Sequence, residues 1–184
     1  YKKKLAALPE DKRRNFNPVY AAMIEAVDTS VGRIAGKIDE LGLGENTLIV
    51  FTSDNGGIAN VSQLDPLRGE KGSLFEGGVR VPCAMRWTGR IQPGSSCATA
   101  ITSVDYLPTF ARLGEAGLPK GQPMDGVDVS PLMEGRPIAE RSIFWHYPLY
   151  LEGRGLRRTM ADGISYSWRG FPSTSMRRGP WKMI

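Results

Sequence analysis

The sequence predicts an α/β fold, and three observations predict it. An apolar stripe steps through residues 18–41 at helical spacing. A continuous apolar and β-branched run, Thr47–Thr52, follows after a short loop. From Ser142 onward, short strand-like stretches alternate with turns. A helix, a short loop and a buried strand make half of a βαβ unit, and short strands between turns suggest a small antiparallel sheet.

The helix rests on Tyr20, Ile24, Val27, Val31, Ile34, Ile38 and Leu41, which share one face. Asn17 is placed to cap it, Pro18 suits its first position, and Gly42 suits the left-handed residue after its end. Gly32 and Gly36 weaken it locally and permit a neighbouring backbone to come close. The run Thr47–Thr52 shows no alternation, which suits a parallel strand covered on both faces. Residues 58–78 read as loop, Val79–Trp87 as a second strand, and Gly89–Gly94 as a turn. "TSVDYLPTFARLG" reads as a short helix near Pro108, with Val104, Leu107, Phe110, Ala111 and Leu113 facing inward. Residues 114–141 are Pro/Gly-rich and irregular, and no internal repeat or low-complexity tract is present.

Composition narrows the functional classes. The 184 residues suffice for a real core without staples. Glycine, 22 residues, points to many tight turns rather than a helical bundle. No apolar run approaches the roughly 18 residues of a membrane span, so a membrane is not an expected partner. The net charge of +5 comes with basic clusters at Lys2–Lys4, Lys12–Arg14, Arg154/Arg157/Arg158 and Arg177/Arg178. These read as solvated faces or as a surface for an anion. RNA-module and helix-turn-helix signatures are absent, so nucleic acid is not expected either. Cys83 and Cys97 lack metal-site or redox-motif spacing and read as two buried free thiols, with a disulfide as the alternative. His146 is the single histidine, which argues against a triad hydrolase or a His-rich metal site. No feature speaks to oligomeric state.

Two stretches carry the chemistry. In "FTSDNGG" the strand ends in Asp54 and Asn55, at the carboxyl end where ligands gather in open α/β sheets. A carboxylate beside an amide carbonyl offers oxygen only, which suits Ca²⁺ or Mg²⁺ rather than zinc. On these residues alone the stretch is either a turn or a cation-holding strand tip. In "RGEKGSLFEGG" Lys71 stands near Gly69 and Gly72, so a compact ammonium can approach a phosphate or sulfate unobstructed. The spacing is not that of a nucleotide-binding loop, and a surface lysine is the alternative. Glu76 and Arg80 in "FEGGVR" are read as a mutual ion pair that fixes the loop.

Together, "YAAMIEAVDTSVGRIAGKIDELGLGENTLIVFTSDNGG" and "LRGEKGSLFEGGVRVPCAMRW" closely resemble the sulfatase family of the alkaline-phosphatase-like superfamily. The matching order continues through "VDYLPTFARLG", "DGVDVSPLMEG", "IFWHYP" and "RRGPWKMI". The resemblance implies a partial α/β sandwich around a mixed sheet, with part of a small C-terminal antiparallel sheet. Residues 1–141 would then be the C-terminal half of the catalytic domain and 142–184 the start of the small subdomain. Asp54 and Asn55 match the family's late pair of calcium ligands, Lys71 its sulfate-contacting lysine, and His146 a stretch near the substrate pocket. The implied activity is hydrolysis of sulfuric esters, on a sulfated small molecule or a sulfated glycan, by a formylglycine nucleophile with Ca²⁺ (Mg²⁺ as the alternative).

Formylglycine arises from the Cys or Ser of a C/S-x-P/A-x-R motif, and neither "CAMR" at Cys83 nor "CATA" at Cys97 fits. The expectation is a chain truncated at its N-terminus, with the nucleophile upstream of Tyr1 and no turnover by residues 1–184 alone. Two rivals share these residues: a phosphodiesterase or phosphonate hydrolase of the same superfamily, and a non-catalytic module that binds sulfated glycans. The family points to a periplasmic, secreted or lysosomal location, which nothing in this chain decides.

Overall fold

In a computed structural model of the chain, residues 1–10, 13, 17–58, 61–148, 156–159, 165–168 and 172–184 are described. A short helix, α1 (Lys2–Ala6), precedes the long helix α2 (Pro18–Glu40). The local signals of α2 act as the sequence predicts. The Asn17 Oδ1 accepts from the Val19 and Tyr20 N–H groups at 2.9 and 3.1 Å, Pro18 opens the first turn, and Gly42 takes a φ of +69°. Its apolar stripe behaves differently. No residue of α2 is buried among the described residues, and Ile24 and Ile34 remain 50% and 59% exposed. Nor, among the described residues and apart from the helix's own neighbouring backbone, does any atom stand within 4 Å of a Cβ placed on Gly32 or Gly36.

The strand after it, β1 (Ile49–Thr52), corrects one expectation. Among the described residues it pairs antiparallel with β2 (Cys83–Arg86), not in parallel, and it is only partly covered. The second strand is also shorter than Val79–Trp87, because Glu76–Val79 form a helical turn, α3, and Pro82 has no N–H to give a ladder. Asp39, near the end of α2, holds the Arg86 guanidinium at 2.7 and 2.8 Å. Nearby, the Trp87 Nε1 donates to the Glu45 carbonyl at 2.7 Å. These contacts moor the helix to the two-stranded ladder.

A single 3₁₀ turn, Ser103–Asp105, leads into α4 (Tyr106–Leu113). Here the sequence reading fails at three of its five inward positions, Ala111 and Leu113 being half-buried. Val104, Leu107 and Phe110 are exposed, whereas Asp105, Pro108 and Thr109 are buried. The cause is a polar knot. The Asp105 carboxylate accepts from the Thr102 N–H at 2.7 Å and the Val127 N–H at 3.0 Å, and from both Arg141 terminal nitrogens. The Thr109 hydroxyl donates to the Asp105 carbonyl and accepts from the Val129 N–H. Burial pushes the Asp105 carboxyl up, but Arg141 and the two backbone donors outweigh it and hold the group below the usual carboxylate range.

After α5 (Ser130–Met133), the chain enters the antiparallel part expected from Ser142 onward. Strand β3 (Ser142–Tyr147) pairs with β6 (Ser173–Arg178), which pairs with β7 (Trp181–Met183), and β4 (Leu156–Thr159) pairs with β5 (Ser165–Trp168) as a separate hairpin. Of the basic clusters, Lys12, Arg14 and Arg154 lie outside the described residues.

Candidate functional site

Thr52 pairs with Cys83, so residues 53–82 leave and re-enter the ladder at one end. Within this excursion the backbone is laced to itself. The Gly56 N–H donates to the Gly78 carbonyl at 2.9 Å, the Lys71 N–H to the Gly57 carbonyl at 2.9 Å, and the Gly77 N–H to the Arg68 carbonyl at 2.6 Å. The lacing is so close that a Cβ on Gly56 would stand 1.8 Å from the Gly77 oxygen. Only glycine permits that approach. Gly69 and Gly72, either side of Lys71, both lie in the left-handed region, with φ of +78° and +85°. The glycines that the sequence sets around Lys71 therefore shape the backbone that carries it to the Asp54–Asn55 tip.

A cavity of about 860 Å³ opens beside this platform, and it brings the four sequence-selected residues together: Asp54, Asn55, Lys71 and His146 all line it. Asp54 is exposed and Asn55 half-buried. The Asn55 Nδ2 donates to the Gly56 carbonyl at 3.2 Å, and the Ser53 hydroxyl donates to the Asn55 carbonyl at 2.9 Å. With its amide nitrogen engaged, the Asn55 side chain offers its oxygen. His146 reaches the rim from β3, its Nδ1 3.0 Å from the Thr174 hydroxyl.

The donor chemistry fits a hard divalent cation, since Asp54 and Asn55 provide oxygen alone. Two such side chains would be only part of a ligand set. Calcium takes about six to eight oxygens, and among the described residues no three His, Cys, Asp or Glu side chains gather into a metal-holding group.

The cavity also contains residues that local reading did not select. Arg80, Arg177, Trp145 and Tyr106 line it. Arg177 appears in the sequence only as half of a basic pair, and its cross-strand position, opposite Ile143, is what turns it toward the site. Burial pushes the Tyr106 hydroxyl up, and a hydrogen bond to Thr52 partly offsets this. The Tyr106 ring stacks on Phe110 at 5.6 Å.

Two further expectations are corrected. Glu76 is paired not with Arg80 but with Arg177 at 3.1 Å and Lys182 at 2.9 Å. Burial pushes its carboxyl up, but Lys182, Arg177 and Arg80 hold it below the usual range. Cys83 and Cys97 are free thiols as expected, yet both are exposed, since the strand carrying Cys83 is only partly covered and Cys97 lies in open loop.

The comparisons with known proteins point to one family. A family model described as Sulfatase matches residues 3–116. Mouse (Mus musculus) steryl-sulfatase is 40% identical over 146 residues, 73% of this chain and 23% of that protein. Human (Homo sapiens) arylsulfatase A is 41% identical over 143 residues, 76% of this chain and 28% of that protein. The crystal structure of Ps i-CgsB in complex with k-i-k-neocarrahexaose aligns with a TM-score of 0.72 and 27% identity, over 99% of this chain and 37% of that one. The chain thus spans about a quarter of the length of the curated relatives it matches. Its mixed helices and antiparallel sheets are part of the alkaline-phosphatase-like fold of those structural neighbours. The match over residues 3–116 covers most of the sequence, and the relatives share one name, so this chain belongs to the sulfatase family.

Proposed function

We propose that this protein hydrolyses sulfate esters, with Asp54 and Asn55 as two ligands of a calcium ion and Lys71 as the cation that contacts the sulfate. The observation that carries the reading is the single cavity in which Asp54, Asn55, Lys71 and His146 meet. Magnesium is the alternative ion, as the oxygen donors suit either. When bound, the cation supplies fixed positive charge to the sulfate oxygens. The Lys71 ammonium neutralises charge on the sulfate or the departing oxygen, in a site already organised by backbone lacing before substrate arrives. Thr174 engages the His146 Nδ1, which leaves Nε2 as the ring nitrogen able to hydrogen-bond an ester or exchange a proton with it. Arg80 and Arg177 add to the positive lining. Neither Cys83 nor Cys97 is assigned as the precursor of the family's formylglycine nucleophile, because neither has the required flanking residues. The substrate class is a sulfated small molecule or a sulfated glycan, supported by the relatives' names and by the hexaose bound in the structural neighbour.

The test uses the protein expressed from its complete coding sequence, assayed on 4-nitrophenyl sulfate and 4-nitrophenyl phosphate. Sulfate release is expected to exceed phosphate release, to stop on chelation and to return with calcium. Preference for the phosphate, or chelator-insensitive sulfate release, overturns the proposal.

A further inference from the structure

Glu76 opens α3, directly after the loop that carries Lys71, yet its partners come from the far end of the chain. One carboxylate oxygen accepts from the Arg177 Nη1 at 3.1 Å and the other from the Lys182 Nζ at 2.9 Å. All three side chains are largely covered, at 27%, 27% and 12% exposure for Glu76, Arg177 and Lys182. The Lys182 ammonium also lies over the Trp145 ring, 5.0 Å from its centroid. One carboxylate therefore reaches β6 and β7 directly, and β3 through Lys182 and Trp145.

The sheet register explains why this carboxylate matters. Arg177 and Lys182 are directly opposite on neighbouring strands, and like charges in that position destabilise a sheet. In the same row, Ile143 faces Arg177. Side chains alternate along a strand, so Trp145 and Tyr147 share that face. An acidic group between the two cations relieves that repulsion, and Glu76 supplies it. Trp145, His146 and Tyr147 form the cavity wall contributed by β3. The position of that wall relative to Lys71 is set where α3 meets the row.

We infer that Glu76 is a positioning residue, which clasps the C-terminal sheet to the Lys71 loop and so fixes the distance across the cavity between Lys71 and the Trp145–Tyr147 wall. The inference rests on reading the cavity as a sulfate-ester site. The clasp itself is a mechanical statement that can be measured apart from activity. A purely local role, in which Glu76 only stabilises the first turn of α3, predicts changes confined to residues near 76.

The experiment is amide hydrogen exchange on the protein expressed from its complete coding sequence, comparing wild type, Glu76→Gln and the double variant Glu76→Gln/Lys182→Met. Glu76→Gln keeps the shape and removes the charge. Exchange is expected to rise together in residues 70–79 and 143–147. Removing Lys182 as well relieves the exposed repulsion and should restore part of the protection at 143–147. In steady-state assays on 4-nitrophenyl sulfate, KM rises by about tenfold in Glu76→Gln while kcat falls less, the pattern of a misplaced binding wall. If Glu76→Gln does not fold, Lys182→Met alone is read the same way, with loosening at 143–147 supporting the clasp. Unchanged protection at 143–147, in whichever variant folds, overturns it. Coupled loosening in a protein that releases no sulfate leaves the clasp standing and sinks the sulfatase reading instead.

Discussion

Asp105→Ala tests whether the polar knot behind the cavity holds this part of the fold together. The Asp105 carboxylate is fully buried, and Arg141, its partner, is 19% exposed. Alanine would leave that guanidinium without its counter-charge and strand the Thr102 and Val127 N–H groups. Breaking one side of a buried pair costs about 3–5 kcal/mol. Each stranded donor adds on the order of 1–3 kcal/mol. The terms share one carboxylate and do not add fully, so the expected loss is roughly 4–6 kcal/mol, a large part of the ~5–15 kcal/mol that holds a typical domain folded. Urea denaturation followed by circular dichroism measures it, on the protein expressed from its complete coding sequence. A double replacement, Asp105→Leu with Arg141→Met, should recover most of the loss, because a well-packed apolar pair can stand in for a buried ionic one. The pH dependence has a definite sign. The folded Asp105 carboxyl titrates below its unfolded value. Its contribution is therefore complete above about pH 4 and disappears as pH falls through the depressed folded value. A single variant within about 1 kcal/mol of wild type would refute the reasoning.

Further predictions concern the site itself. Lys71→Ala removes a charge worth on the order of 4 kcal/mol at 4 Å in a partly screened site, before desolvation is subtracted. We expect kcat/KM for an aryl sulfate to fall by about a hundredfold, and a loss smaller than threefold in steady-state assays would remove Lys71 from its assigned role. Gly56→Ala forces a methyl to within 1.8 Å of the Gly77 oxygen. The laced segments must part, lowering the thermal midpoint by the equivalent of about 1–3 kcal/mol. An unchanged midpoint in a thermal melt would show that the lacing is slack.

What the sequence discloses and what it conceals divide by distance along the chain. The cap at Asn17, the proline at 18 and the left-handed Gly42 are local devices, readable within a few residues, and α2 begins and ends where they place it. The Asp54–Asn55 tip and the glycines around Lys71 are equally local, and the four selected side chains meet in one cavity. Pairing is not local. The lack of alternation in Thr47–Thr52 suggests a parallel neighbour, but the partner, β2, comes back from the end at which β1 leaves. Glu76 has an arginine four residues away, while its charge partners are 101 and 106 residues distant. Hydrophobic spacing misleads around α4 because Asp105 and Thr109, the most polar residues of that turn, are the ones whose hydrogen bonds require an interior. Periodicity registers apolar side chains and is blind to a saturated carboxylate.

The pairing of Thr52 with Cys83 makes the intervening segment a tethered ring whose two ends are zipped shut. Inside it, the contacts that seat Lys71 use Gly56, Gly57, Arg68, Gly77 and Gly78, and residues 61–67 form a lobe outside that stitching. Doubling the length of a flexible loop costs only about 0.6 kcal/mol in closure entropy. The lobe can therefore be lengthened with little entropic penalty, provided that Ser62 and Leu64 keep their packing against Gly57. A scaffold of this kind lets an outer lobe change length around a fixed, glycine-stitched base.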